Sequence, residues 1–149
     1  MRREECATEL RFFMPMRPPT ATHQEQQVRT VRGKPVFYEP PDLAEARAKL
    51  MAHLVPHRPT KPLGGAVRLI VKWCFPLCGK HQDGEYKATR PDTDNLNKLL
   101  KDCMTALGFW KDDAQVASEL CEKFWAGVPG IFICIQELEK EIGGNDGKN

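Results

Sequence analysis

The sequence predicts a single α+β domain, a small mixed β-sheet carrying two main helices, and three observations support that prediction. The chain has 149 residues, a length at which one ordinary domain buries a core without metal or disulfide staples. Charged residues make up 28% of it and apolar residues 41%, a globular balance rather than a disordered one. Short strand-like runs and two helical stretches alternate in the order β, ββ, α, β, α, β, β, with proline and glycine between them, a pattern that suits one sheet packed against helices.

Residues 1–8 read as a polar extension. Residues 9–14 (Glu-Leu-Arg-Phe-Phe-Met) predict a strand stopped by Pro15 and by Pro18-Pro19, because proline has no N–H for the ladder. Residues 20–27 are polar and read as a loop. Residues 28–32 and 35–38, separated by Gly33-Lys34, predict a hairpin. Pro40-Pro41-Asp42 then opens a helix over 43–54, which Pro56 and Pro59 end. Residues 66–75 are β-branched and partly alternating, a strand closed by Pro76, and residues 77–88 read as a polar loop. The second helix is predicted over 94–107. There Leu96, Leu99, Leu100, Cys103, Met104 and Leu107 form one continuous apolar stripe, with Gly108 as the stop. Residues 116–125 and 131–138 predict two strands joined by Gly127-Val128-Pro129-Gly130 as a turn. The domain thus occupies 9–138, and 139–149 is a polar tail.

No run of 18 apolar residues exists, so no membrane span is expected. The N-terminal Met1-Arg2-Arg3-Glu4-Glu5-Cys6 has no apolar stretch behind it and is not a secretory signal. An intracellular, cytoplasmic protein with its six cysteines reduced is therefore expected. Charge is unevenly spread. Residues 1–59 hold 10 basic and 7 acidic side chains, residues 60–111 hold 9 and 5, and residues 112–149 hold 3 and 8. A basic middle before an acidic end is compatible with nucleic acid approaching one region of the fold.

The chemistry-bearing stretch is Arg90-Pro91-Asp92-Thr93-Asp94-Asn95-Leu96-Asn97-Lys98, followed by Phe109-Trp110-Lys111-Asp112-Asp113. At about 100° per residue, Asp94, Lys98, Lys101 and Thr105 lie opposite the leucine stripe. A strand returning along the helix would bring Asp113 back beside Asp92 and Asp94. Clustered carboxylates repel unless a cation neutralises them. Hard Mg²⁺ suits their oxygens while keeping waters and accepting phosphate, and such an ion can activate water against a phosphodiester. Lys98, one turn after Asp94, would face the same phosphate. A plainer reading uses the same residues. Asp92 or Thr93 caps the helix, Asp94 favours its dipole, and Asp94 with Lys98 forms a surface pair of a few tenths of a kcal/mol. A calcium loop counted from Asp92 fails, since its sixth position is Asn97 and its twelfth Cys103.

The run Asp92-x-Asp94-Asn95-Leu96-x-Lys98, then Asp102, then Gly108-Phe109-Trp110-x-Asp112-Asp113-x-Gln115-Val116 resembles the signature of RusA-type crossover junction endodeoxyribonucleases. The match is dense over 92–116 and coarse over 9–138. The resemblance implies a RusA-like fold and Asp92, Asp94 and Asp113 as metal ligands for Mg²⁺, with Mn²⁺ as a possible substitute. It implies Lys98 as the essential basic residue and a homodimer that places two sites across a Holliday junction, nicking it symmetrically in recombination and repair. Members of the family often come from phages or prophages. Where they tend to carry Ser and Asn after the proline pair, this chain has Thr20-Ala21-Thr22. A non-cleaving branched-DNA-binding accessory protein and a related flap nuclease are the alternatives.

Lys72, Lys80, Lys87, Arg90, Lys101 and Lys111 are candidate phosphate contacts, each equally readable as solvated surface. Phe109 and Trp110 read as core residues that staple the helix end, ahead of a base-stacking role. Cys74-x₃-Cys78-x₂-His81 lacks a second ligand pair at zinc spacing, and no histidine pairs with a nucleophile.

Overall fold

The computed structural model describes residues 8–22 and 27–138; residues 1–7 of the extension expected over 1–8, residues 23–26 of the expected loop and the tail over 139–149 lie outside them. Among the described residues six strands and two α-helices follow in the expected order: β1 (Glu9–Pro15), β2 (Gln27–Val31), β3 (Lys34–Tyr38), α1 (Pro41–Leu54), β4 (Val67–Pro76), α2 (Thr93–Ala106), β5 (Val116–Ala126) and β6 (Gly130–Glu137). The β2–β3 hairpin is a separate two-stranded sheet. Its turn is Arg32-Gly33, one residue earlier than expected, with φ of 54° and 78°. Two left-handed residues give the twist that a two-residue hairpin needs.

The main sheet has the order β1-β6-β4-β5 and is mixed, with β4 and β5 parallel and the other pairs antiparallel. The turn expected between β5 and β6 is therefore not a hairpin turn, because β4 lies between these two strands. β6 is a central strand, and its Ile131, Ile133, Cys134 and Ile135 are all buried. Gly130 starts β6 where a Cβ would meet the carbonyl oxygen of Met14 at 2.6 Å and the ring of Phe13. Only a residue without a side chain lets β1 approach so closely.

The alternation of β4 sends Val67, Leu69, Val71, Trp73 and Phe75 into one core with Leu43, Leu50 and Leu54 of α1 and the stripe Leu96, Leu99, Leu100, Cys103 and Met104 of α2. Both helices thus cover one face of the sheet. Fully burying each such side chain contributes about 1.5–3 kcal/mol. Phe109 and Trp110 complete the core, 0% and 1% exposed, and the Trp110 indole donates to Thr105 Oγ1 at 2.7 Å. This confirms their structural reading.

The parallel pair β4–β5 with α2 between them decides where the site residues fall. In such a crossover the helix runs back against both strands. The entrance of α2 lies beside Cys121 in the middle of β5, and its exit lies towards the start of that strand. Contacts fix this direction: Cys121 Sγ donates to the carbonyl oxygen of Thr93, Glu119 meets Asn97 and Lys101, and Trp110 meets Thr105.

Candidate active site

Asp92 is the residue before the first turn of α2, with extended φ and ψ of −74° and 147°, and its side chain makes no capping hydrogen bond. Asp94 lies in that first turn, and its Oδ1 accepts the backbone N–H of Asn95 at 2.9 Å. Both aspartates are exposed. Lys98 leans away from Asp94 towards Asp102 Oδ1 at 3.5 Å, with 56% of its side chain exposed. Of the plain roles open to these residues, a side-chain cap by Asp92 and an i,i+4 pair of Asp94 with Lys98 are not formed, while Asp94 does stand in the first turn, where the helix dipole favours it. Two exposed carboxylates thus stand at the entrance of α2, with the exposed Lys98 one turn further along the helix.

The approach to Asp92 is fixed from β5. Residues 84–87 add to the edge of that strand through Gly84 N to Trp125 O (2.8 Å), Trp125 N to Glu85 O (2.8 Å) and Lys87 N to Lys123 O (2.9 Å). Lys123 Nζ then donates to the carbonyl oxygens of Thr89 (2.5 Å) and Pro91 (2.7 Å), next to Asp92. Lys123 was not among the candidate residues. Nothing in the sequence distinguishes it from a surface lysine, since its acceptors are backbone atoms more than 30 positions away.

Asp113 is held differently. It lies in a short 3-10 turn over 113–115 that Asp112 caps, Asp112 Oδ1 accepting the N–H of Ala114 at 2.9 Å. Gln115 ties this turn down. Its Oε1 accepts the N–H groups of Lys111 (2.9 Å) and Asp112 (3.2 Å), and its Nε2 donates to the carbonyl oxygens of Leu63 (3.1 Å) and Gly65 (2.8 Å). The turn follows the far end of α2. A helix of 14 residues is about 21 Å long, so Asp113 does not join Asp92 and Asp94 within one chain. The expectation that the three share one spot is corrected here. The strand after α2 does return along the helix, but it starts from the helix exit. Among the described residues, no three Asp, Glu, His or Cys side chains are grouped to hold a metal ion, and that includes Cys74, Cys78 and His81.

Asp92 and Asp94 alone still fit Mg²⁺. That ion usually takes one or two carboxylates and completes its shell with water and substrate phosphate, and both carboxylates are exposed at the surface.

The candidate phosphate contacts divide. Lys80, Arg90 and Lys111 are exposed. Lys101 is spent on Glu119, Nζ to Oε1 at 2.9 Å. The Lys87 ammonium sits 4.2 Å from the ring centroid of Trp125 and 5.1 Å from that of Phe75. Burial, with Lys123 nearby, pulls its pKa down. Lys72 lies over Phe132 on the sheet face away from the helices.

Comparison with known proteins agrees with the motif. The family model described as endodeoxyribonuclease RusA matches residues 15–136. The chain is 32% identical over 97 residues to a crossover junction endodeoxyribonuclease rusA of Lactococcus phage r1t, covering 64% of this chain and 72% of that protein. It is 30% identical over 93 residues to the uncharacterized protein YqaN of Bacillus subtilis (strain 168), covering 55% of this chain and 65% of that one. No helix among the described residues is long and apolar enough to cross a membrane. A family match over most of the chain, which includes Asp92, Asp94 and Lys98, makes this protein a member of the RusA family of endodeoxyribonucleases.

Proposed function

We propose that the chain is a Mg²⁺-dependent, structure-selective endonuclease that resolves four-way DNA junctions by paired symmetric nicks, working as an intracellular homodimer in recombination and repair. The observation that carries the reading is the pair of exposed carboxylates, Asp92 and Asp94, free of capping and ion-pair roles among the described residues and one turn from Lys98. Mg²⁺ bound there supplies a polarised water and neutralises charge on the scissile phosphate. Asp92 and Asp94 hold that ion, and Lys98 donates to a phosphate oxygen. Arg90, Lys80 and Lys111 contact the flanking backbone.

The dimer gains support from the position of Asp113. A two-fold dimer in which the second copy brought its own Asp113 beside Asp92 and Asp94 of the first would draw each site from both chains.

The test is cleavage of a synthetic four-way junction beside matched duplex and flap DNA, with Mg²⁺ and with EDTA. Nicking of the junction alone, and only with Mg²⁺, is expected, and Asp94→Asn should bind the junction without cutting it. Binding without cleavage by the wild type would turn the reading to an accessory protein. Equal cutting of all three substrates would retain the site and reject the junction as its substrate.

A further inference from the structure

One residue inside the 92–98 segment has no part in the chemistry described above. Asn97 is 1% exposed, on the face of α2 that otherwise presents Leu96, Leu99, Leu100, Cys103 and Met104 to the core. A buried amide is costly unless its hydrogen bonds are made, and those of Asn97 are. Its Oδ1 accepts from the Trp73 indole at 2.9 Å and from Cys121 Sγ at 3.1 Å, and its Nδ2 donates to Glu119 Oε2 at 2.7 Å. The other oxygen of that carboxylate accepts from Lys101 Nζ at 2.9 Å. Glu119 of β5 is thus gripped by two residues of α2 one turn apart, and one of the two is also tied to β4.

The grip differs in kind from the packing around it. A leucine stripe against a sheet gives burial energy with weak directional preference, whereas a satisfied polar network fixes one arrangement. A slip of one residue along α2 translates Asp94 and Lys98 by about 1.5 Å and turns them by about 100°. Asp92 would not follow fully, because Lys123 anchors the preceding carbonyls of Thr89 and Pro91 to β5. The spacing between the two carboxylates therefore depends on how α2 is set against β5, and the Asn97–Glu119 contact sets it.

We infer that Asn97 is a positioning residue of the nuclease site: through Trp73 and Glu119 it fixes the rotation and axial setting of α2, and with them the mutual placement of Asp92, Asp94 and Lys98. This rests on the proposed metal-dependent cleavage.

The experiment compares Asn97→Leu, Glu119→Leu, Glu119→Gln and Ile133→Val, the last a mild core change away from the clamp. Mn²⁺ binding to the free protein is followed by electron paramagnetic resonance, and junction cleavage is separated into kcat and KM. Asn97→Leu and Glu119→Leu should bind Mn²⁺ about tenfold more weakly. Their kcat should fall by about tenfold or more with KM for the junction unchanged. Glu119→Gln keeps an oxygen for Asn97 Nδ2 and should restore both readouts, and Ile133→Val should leave both at wild-type values. The inference is overturned if both leucine variants bind Mn²⁺ and cleave like the wild type, or if Ile133→Val loses as much as they do. Should Asn97→Leu fail to fold, the two Glu119 variants decide by the same criteria. A wild type that binds Mn²⁺ and cuts no DNA would refute the nuclease reading, and the Mn²⁺ comparison would then decide the role of Asn97 by itself.

Discussion

Mixing two inactive variants, Asp94→Asn and Asp113→Asn, should restore nicking that neither shows alone. The reasoning is geometric. Three carboxylates that ligate one Mg²⁺ must each place an oxygen about 2.1 Å from it, so their oxygens lie within about 4 Å of one another. Asp94 and Asp113 sit at opposite ends of a 14-residue helix, about 21 Å long, so one chain misses that requirement by more than about 10 Å. If each site takes Asp92 and Asp94 from one chain and Asp113 from the other, a mixed dimer has one site with both lesions and one with none. Random re-association makes about half of the dimers mixed, so about a quarter of the wild-type sites return. The assay is single-strand nicking of a labelled four-way junction after the two proteins are unfolded and refolded together, with formation of mixed dimers verified by differently tagged chains. The product should be nicked on one strand and not resolved, because paired cutting needs two sites. Mixed dimers that form and nick nothing would refute the shared site and return Asp113 to a role within its own chain.

Three further outcomes follow from local structure. Gln115→Ala removes four hydrogen bonds around the Asp112–Asp113 turn. Most of these are exposed, so a loss of about 2 kcal/mol in urea unfolding is expected, and a loss under about 0.5 kcal/mol would mean the turn stands without it. Glu137 accepts the backbone N–H of Gly64, which lowers its carboxyl pKa. A depressed folded pKa stabilises the fold above the unfolded carboxylate value and loses that effect as pH falls through the folded value. Glu137→Gln should therefore weaken the protein at pH 7 and match the wild type at pH 2–3, measured by thermal melting. Burial raises the thiols of Cys103 and Cys121 to about 11, which leaves about one thiolate in a thousand at pH 8. Iodoacetamide under native conditions should modify the exposed Cys78 far faster than either, as read by peptide mass spectrometry.

Fold class and element order were legible because alternation and the leucine stripe report directly which face of each element is buried. Sheet order was not. Periodicity says which way a side chain points and nothing about which strand stands beside it, so the turn joining β5 to β6 gave no sign that β4 separates them. The same gap misplaced Asp113, whose place in space depended on β5 starting at the exit of α2. Asp92, Asp94 and Lys98 were legible as a motif because they share one helix entrance. Asn97 was not, since an asparagine in a polar segment gives no sign that its amide faces a buried indole. The lysines show the limit of counting charges. Lys101 and Lys87 read equally as candidate phosphate contacts and as solvated surface, whereas their ammonium groups are engaged by Glu119 and by aromatic rings, partners that only the tertiary fold supplies.

The edge pairing of β1 with β6 bears on how the protein comes to exist in a cell. Gln136 Nε2 reaches Glu9 Oε1 across 127 positions of sequence, so among the described residues the first strand bonds to the last. At about 5–20 residues per second, β1 waits roughly 6–25 seconds for its neighbour, with Leu10, Phe12 and Met14 uncovered meanwhile. The crossover unit β4–α2–β5 is far more local and can assemble without either terminus, which makes the nuclease helix an early product of folding and the outer edge of the sheet a late one. Because residues 9 and 136 finish side by side, a short linker between them and new ends opened in the 77–83 loop should give a circular permutant in which β1 and β6 are made in succession and the wait disappears.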